Sequence, residues 1–220
     1  MFPGRISVYG YTVVRMTFAH EERQKLARLF AESGPDAPTL CEGWTARDLA
    51  AHLYVRENDL LSAAGMFVGP LSGRLDQAMA KQKDRDFSEL VNDWAAGPGS
   101  LNPMKLVDTK INGTEHFVHH EDLRRGDGQA RPRQFDADVT SQLAGALKQM
   151  ATLLLRGSDK PVVLTPTGGV PVVVGGKKGV AERGDDVVRV SGDAGELLLW
   201  AFGRDAVEVT VEGDEASVSR

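Results

Sequence analysis

The chain has 220 residues, 41% hydrophobic and 26% charged, which is enough for one sizeable core or two modest domains. Its formal net charge of -5 argues against a nucleic-acid partner, because the sequence shows no basic stripe of the kind that phosphate binding requires. No apolar run approaches the roughly eighteen residues that a membrane span needs. The single cysteine, Cys41, excludes an internal disulfide framework and indicates a cytoplasmic protein.

The first fifteen residues differ in pattern from the rest of the chain. They contain neither the continuous apolar segment nor the small-residue cleavage site of a secretory signal. A much more regular pattern begins at Met16. We therefore expect residues 1–15 to be an N-terminal extension.

Apolar residues at helical spacing dominate residues 16–157. The first predicted helix follows Thr17 and is stopped by Gly34-Pro35. The second follows Thr45, has an acid three residues later as in a capping box, and runs to about Met66. The other predicted helices are Leu75 to Lys83, Ser88 to Ala95, about Lys105 to Arg124, and Asp136 to Arg156. The four long helices among these predict a helical bundle over residues 16–157.

The pattern changes after residue 157. Short β-branched runs alternate with glycine-rich turns, which predicts strands, and one helix interrupts them. The strands are expected at Val162 to Leu164, Val170 to Val174, Val187 to Ser191 and Val207 to Val211, and the helix at Ala194 to Phe202. Residues 158–220 are therefore predicted to form a small α+β domain.

Three of the five histidines lie within five positions of one another, in the helix predicted to end at Arg124. At about 100° per residue, Glu115, His119 and Asp122 lie on or near the apolar stripe marked by Val118. These three side chains are expected to face inward.

The other two histidines of this stretch fall on the opposite side of the same helix. His116 and His120 point away from the apolar stripe, although their spacing would allow them to bind one ion. With Glu121 they are most simply interpreted as a solvated face.

A metal site would explain the inward polar side chains. Glu115 and His119 are four residues apart and project one above the other, while His52 can reach them from the second helix. One divalent cation would satisfy a buried carboxylate and buried imidazoles at once. Two histidines and a carboxylate suit Zn²⁺ or another first-row ion, with open positions for water or substrate. The alternative is that each of the three is a hydrogen-bonded residue of the core.

Neighbouring residues allow further interpretations. Arg56 and Asp122 could form an interhelical salt bridge, or they could orient the metal ligands. Cys41 precedes the second helix in a loop, without the paired base that a nucleophile needs, and is interpreted as structural.

Three segments of the chain, residues 39–53, 115–123 and 195–204, resemble the actinobacterial mycothiol-dependent maleylpyruvate isomerase family. The first holds Gly43-Trp-Thr followed by His52, and the second holds Glu115 and His119. The resemblance extends over about residues 16–211 and is strongest to a metal-binding branch of the family.

The resemblance implies an α+β protein with an N-terminal DinB-like four-helix bundle and a small, sterol-carrier-like α+β C-terminal domain. It also implies a divalent metal held by His52, Glu115 and His119, with mycothiol as co-substrate. Arg204 would bind a substrate carboxylate, although an arginine after a helix can equally interact with the helix dipole. The chain differs from the isomerase in its adjacent His119 and His120.

The leading hypothesis for function is a metal-dependent enzyme, most simply with zinc, that uses mycothiol as an S-transferase or isomerase on a small electrophile. The rivals are a metal-dependent hydrolase, in which bound water is the nucleophile, and a non-catalytic, metal-stabilised protein that binds a small ligand. We expect small-molecule partners, no nucleic acid or membrane, and a monomer or homodimer.

Overall fold

A computed structural model describes residues 6–8, 11–13, 16–66, 68–99, 111–175 and 186–220; the side chains of residues 6–8, 11–13, Met66 and Ile111 are not described. The chain divides into two compact units, Met1–Arg124 and Arg125–Arg220. This division lies earlier in the chain than the boundary expected after residue 157. None of the described helices combines the length and apolar character needed to cross a bilayer.

The first unit is mainly helical. A short antiparallel hairpin, β1 (Ile6–Val8) and β2 (Tyr11–Val13), lies within the predicted extension. The helices are α1 (Phe18–Ser33), α2 (Ala46–Asn58), α3 (Leu60–Ala63), α4 (Ser72–Lys83), α5 (Phe87–Ala95) and α6 (Ile111–Arg124), with 3-10 turns at Ala64–Met66 and Gly69–Leu71. Residues 105–110 of the helix predicted to end at Arg124 lie outside the described residues.

Local signals set the ends of the first two helices. The Thr17 side chain accepts a hydrogen bond from the His20 backbone at 3.3 Å, and Gly34, with φ of 78°, ends α1. At α2, the Asp48 carboxylate accepts the Thr45 N–H at 2.9 Å. The predicted starts of both helices are confirmed.

The second helix is shorter than predicted. It ends at Asn58, because Asp59 leaves the helical conformation with φ of -130° and ψ of 77°. The Asp59 carboxylate instead accepts hydrogen bonds from the Ser62 N–H at 3.0 Å and from its hydroxyl at 2.7 Å, which starts α3. The prediction of one continuous helix to Met66 was wrong, because the Asp59 cap competes with continuation of the helix.

The core of the first unit lies between α1, α2 and α5. Its largest fully buried side chains are Leu26, Phe30, Leu49, Leu53, Leu90 and Trp94. The rings of Phe30 and Trp94 meet edge to face, with centroids 6.1 Å apart. Burying each such side chain contributes about 1.5 to 3 kcal/mol to folding, so this core fixes α2 and the residues it carries.

Within its described residues, the second unit consists of a four-stranded mixed sheet and two helices. Its elements are α7 (Ala137–Leu154), β3 (Val162–Pro166), β4 (Val172–Val174), β5 (Val188–Gly192), α8 (Ala194–Ala201) and β6 (Val209–Glu212), with a 3-10 turn at Glu215–Ser217. The strand order is β4-β3-β5-β6. Strands β3 and β5 are parallel, and the other two pairs are antiparallel.

Helix α7 was expected in the helical bundle, but it packs against α8 and β4 of the second unit. Its apolar residues, including Leu143 and Leu147, are buried. The helical pattern predicts that such a face is covered, but it does not say by which partner.

A buried ion pair fixes the start of the second unit to α8. Arg125 donates to both oxygens of Glu196, at 2.6 and 2.9 Å, and both residues are almost fully buried. Glu196 also accepts the Glu208 N–H at 2.9 Å. These partners satisfy a carboxylate that would be costly to bury alone.

Candidate metal centre

The structure brings together the three residues predicted as metal ligands. One ligand atom from each of His52, Glu115 and His119 lies within 4.8 Å of the other two. His52 comes from α2, and the other two residues come from successive turns of α6. The two imidazole rings are 5.1 Å apart between centroids. One cation could therefore contact all three side chains.

His119 lies between two carboxylates. Its Nδ1 is 3.0 Å from Asp122 Oδ2, and its Nε2 is 3.4 Å from Glu115 Oε2. Burial alone would lower the pKa of His119, but hydrogen bonds with Asp122, Cys41 and Glu115 raise it well above its usual value. A protonated His119 thus donates its Nδ1–H to Asp122 and its Nε2–H to Glu115.

Glu115 is more accessible than His119, with 25% of its side chain exposed against 10%. Burial raises its pKa, but the hydrogen bond and charge of His119 and the charge of Arg56 outweigh burial and hold the pKa at about 2. The Arg56 Nε lies 3.5 Å from Glu115 Oε2. Glu115 is therefore a carboxylate at any working pH.

His52 has the opposite electrostatic environment. Burial and then the charge of His119 lower its pKa to about 3. Its ring packs beside Trp44, with centroids 5.1 Å apart. A neutral imidazole keeps a lone pair available, which is the form that binds a metal ion.

The chemistry of these side chains fits a divalent cation. Two imidazoles and one carboxylate form a mixed nitrogen and oxygen set, typical of zinc sites that keep positions for other ligands. A cation here would contact Glu115 and take the place of the proton on Nε2 of His119.

Arg56 and Asp122 each contact one of the predicted ligands. Asp122 receives a hydrogen bond from His119, while Arg56 pairs with Glu115 and donates to Asn112 Oδ1 at 2.7 Å. These contacts favour the interpretation in which Arg56 and Asp122 orient the ligands over a direct salt bridge between the two.

Cys41 was interpreted as structural because no paired base was expected near it; that expectation about the base was wrong, and the structural role stays a prediction. Its Sγ lies 3.2 Å from Asp122 Oδ2, and Cys41, His119 and Asp122 form a second group whose ligand atoms lie within 4.8 Å of one another. The backbone holds the loop there, since Leu40 donates to the Asp122 carbonyl at 3.0 Å. No local spacing signals this contact between residues 81 positions apart.

The predicted solvated face of α6 was also wrong. His116, His120 and Glu121 are buried, with exposures of 0%, 6% and 0%. His116 Nδ1 donates to the Ala19 carbonyl at 2.9 Å, and His120 Nδ1 lies 2.8 Å from Glu22.

The reason for this error is that α6 is covered on more than one side. Helix α1 packs against α6 and provides acceptors for His116 and His120. The polar side of α6 was therefore predicted to face solvent, whereas it faces polar groups of α1. Histidines recur on successive turns of α6, and acids that could pair with them occur elsewhere in the sequence. This combination is the sequence signal that could have indicated burial of His116 and His120.

Arg204 lies just after α8 in the second unit. Its Nη1 donates to the Phe202 carbonyl at 2.6 Å, at the C-terminal end of that helix. This contact agrees with the interpretation as a helix-end partner. Binding of a substrate carboxylate by Arg204 stays a prediction.

Comparison with known proteins gives a family match and structural neighbours. Residues 19–104 match the family model of the mycothiol maleylpyruvate isomerase N-terminal domain. Two crystal structures of the mycothiol-dependent maleylpyruvate isomerase, one of them a histidine-to-alanine mutant, are similar with TM-scores of 0.63 and 0.64. Each is 18% identical in sequence, over 92% of this chain and 94% of that chain. No curated protein matches the chain.

The comparisons confirm the resemblance to the mycothiol-dependent maleylpyruvate isomerase family and the α+β fold class expected from it. At 18% identity the structural likeness shows the fold.

Proposed function

We propose that this protein is a metal-dependent enzyme that uses mycothiol as its thiol co-substrate and acts on a small electrophile, as an isomerase or an S-transferase. The observation that carries the proposal is the convergence of His52, Glu115 and His119 from two helices. The match of residues 19–104 to the mycothiol maleylpyruvate isomerase N-terminal domain supports the choice of thiol.

His52, Glu115 and His119 would hold the metal, and zinc suits this donor set best. When bound, such an ion lowers the pKa of a coordinated thiol and so supplies a thiolate nucleophile near neutral pH.

The surrounding residues position these three side chains. Asp122 accepts a hydrogen bond from Nδ1–H of His119, which directs Nε2 towards Glu115. Arg56 pairs with the same oxygen of the Glu115 carboxylate as His119 does. Trp44 packs against the His52 ring and limits its rotation.

The experiment that tests the proposal is a turnover assay of the zinc-loaded protein with mycothiol and a panel of electrophiles that includes a cis-unsaturated keto acid. We expect product only when thiol and metal are both present. Mass spectrometry separates the two reaction types, since a transferase consumes mycothiol with each product and an isomerase does not.

The controls are the chelator-treated protein and the His20→Ala variant, which removes an exposed histidine of α1. His20→Ala should retain full turnover. Turnover that persists without thiol would instead indicate a hydrolase, and absence of turnover with every electrophile would indicate a binding protein; either result contradicts the proposal.

A further inference from the structure

A pocket of about 490 Å³ opens beside His52 in the first unit. Residues of α2 and α4 line it, together with Trp44 from the loop before α2. Its volume lies within the range of small-molecule sites, about 300 to 1,000 Å³. His52 is thus shared between the pocket and the candidate metal centre.

One wall of the pocket is apolar. Trp44, Leu75 and Met79 line it, and each is partly exposed. Leu75 and Met79 of α4 are only partly buried, and Met79 also packs against the core, so part of each side chain is accessible to a ligand. Such a wall favours the hydrocarbon part of a substrate.

The rim of the pocket is acidic. The lining residues include three carboxylates, from Asp48, Asp76 and Asp84, and one ammonium group, from Lys83. The Lys83 Nζ lies 2.6 Å from Asp48 Oδ1, so these two charges offset each other. The side chains of Asp76 and Asp84 are exposed and leave the rim with two excess negative charges.

We propose that this pocket binds the non-reacting part of the substrate, and that this part is an apolar group whose far end donates hydrogen bonds and carries no negative charge. A carboxylate rim can only accept hydrogen bonds, which an ammonium or hydroxyl group supplies. An anionic far end would face two like charges. This inference rests on the proposed function in treating the occupant as the substrate, and it favours electrophiles other than dicarboxylates.

The inference is tested by binding three probes of matched size, 4-phenylbutylamine, 4-phenylbutanol and 4-phenylbutanoate, to the full chain at low salt. Tryptophan fluorescence reports binding, because Trp44 lines the pocket. We expect the amine and the alcohol to bind, and the carboxylate to bind about fivefold or more weakly than the amine. The fluorescence change should disappear in Trp44→Phe.

A double variant, Asp76→Asn with Asp84→Asn, tests the cause of this preference. It should remove most of the difference between the amine and the carboxylate. The matched control, Glu32→Gln with Glu89→Gln, removes two exposed charges outside the pocket lining and should keep the preference. Both pairs are exposed, so circular dichroism should show folded protein in each case.

The inference is overturned if the carboxylate binds as tightly as the amine, if no probe binds, or if the signal survives in Trp44→Phe. It is also overturned if the two double variants behave alike. These measurements require neither thiol nor turnover. Loss of thiol-dependent turnover with an intact charge preference would therefore contradict the proposed function alone.

Discussion

The Nδ1 atom of His119 lies 3.0 Å from Oδ2 of Asp122, and the Asp122 side chain is completely buried. Because a carboxylate accepts this hydrogen bond, Nδ1 carries the proton and Nε2 is left for the candidate metal centre. The pair therefore sets the tautomer and the direction of the ring on which the proposed site depends.

Replacement of Asp122 should weaken metal binding without removing a ligand. We expect Asp122→Asn to lower zinc affinity about 10- to 100-fold, because the amide is a weaker and less directed partner for His119. Competition with a chromogenic chelator measures this affinity. Asp36→Asn, at an exposed position, is the control and should bind zinc as the wild type does. Equal affinities for all three proteins would refute the orienting role.

Removing an imidazole ligand should abolish stoichiometric metal binding. We expect His52→Ala and His119→Ala to lose most of their metal, since each leaves only two of the three side chains. Elemental analysis of the purified proteins measures the content. His20→Ala should retain it, because His20 is exposed on α1. If both site variants keep their full metal content, the proposed ligand set is wrong.

The Cys41 thiol allows a test between the two candidate ligand groups. We expect the cobalt-loaded protein to lack a thiolate-to-metal charge-transfer band, because the proposed ligands are His52, Glu115 and His119. Cys41→Ser should leave the visible spectrum and the metal content unchanged. A band that disappears in Cys41→Ser would show that Cys41, His119 and Asp122 hold the ion instead.

Glu57 should contribute to stability at neutral pH and lose that contribution in acid. Burial raises its pKa, but hydrogen bonds and charges from His116 and Arg23 outweigh burial and hold it below the usual value. The Glu57 carboxylate accepts hydrogen bonds from Arg23 at 2.6 Å, from His116 at 2.9 Å and from Trp94 at 3.0 Å. A carboxyl group whose pKa is lower in the folded than in the unfolded chain stabilises the fold at pH values above its unfolded pKa of about 4.3. This stabilisation is lost as the pH falls through the pKa of the folded state.

We therefore expect Glu57→Gln to lower the free energy of unfolding by about 3 kcal/mol at pH 7, because it removes a carboxylate that pairs with the buried Arg23 guanidinium. The difference from wild type should shrink as pH falls below about 4. Urea denaturation at several pH values measures both effects. Glu21→Gln, in a half-exposed pair with Lys25, should change stability by less than about 1 kcal/mol. A constant difference across the pH range would contradict the assignment to Glu57 ionisation.

Much of the secondary structure followed from local signals. Thr17 and Gly34 set the two ends of α1, because a hydroxyl cap and a positive φ act within a few residues. The strands of the second unit followed from β-branched runs between glycines. The predicted second helix was too long because the Asp59 cap interrupts it within a continuous apolar spacing.

The candidate site was partly predictable for the same reason. Glu115 and His119 are four apart, and helix geometry alone places them together. The apolar register of α2 predicted His52 as their partner, and the family resemblance independently implied the same residue. Cys41 could not be placed, because its contact with Asp122 depends on where a loop crosses a distant helix.

The sequence by itself determined which residues could share a helix face, where caps end helices, and that a small α+β unit comes after a helical one. Only the tertiary structure decided that α7 packs with the sheet, that His116 and His120 are buried against α1, and that Cys41 lies beside His119. The physical reason is that backbone periodicity fixes the directions of side chains within one element. Burial and charge depend on which other element covers that face, and that choice is made by packing over the whole chain.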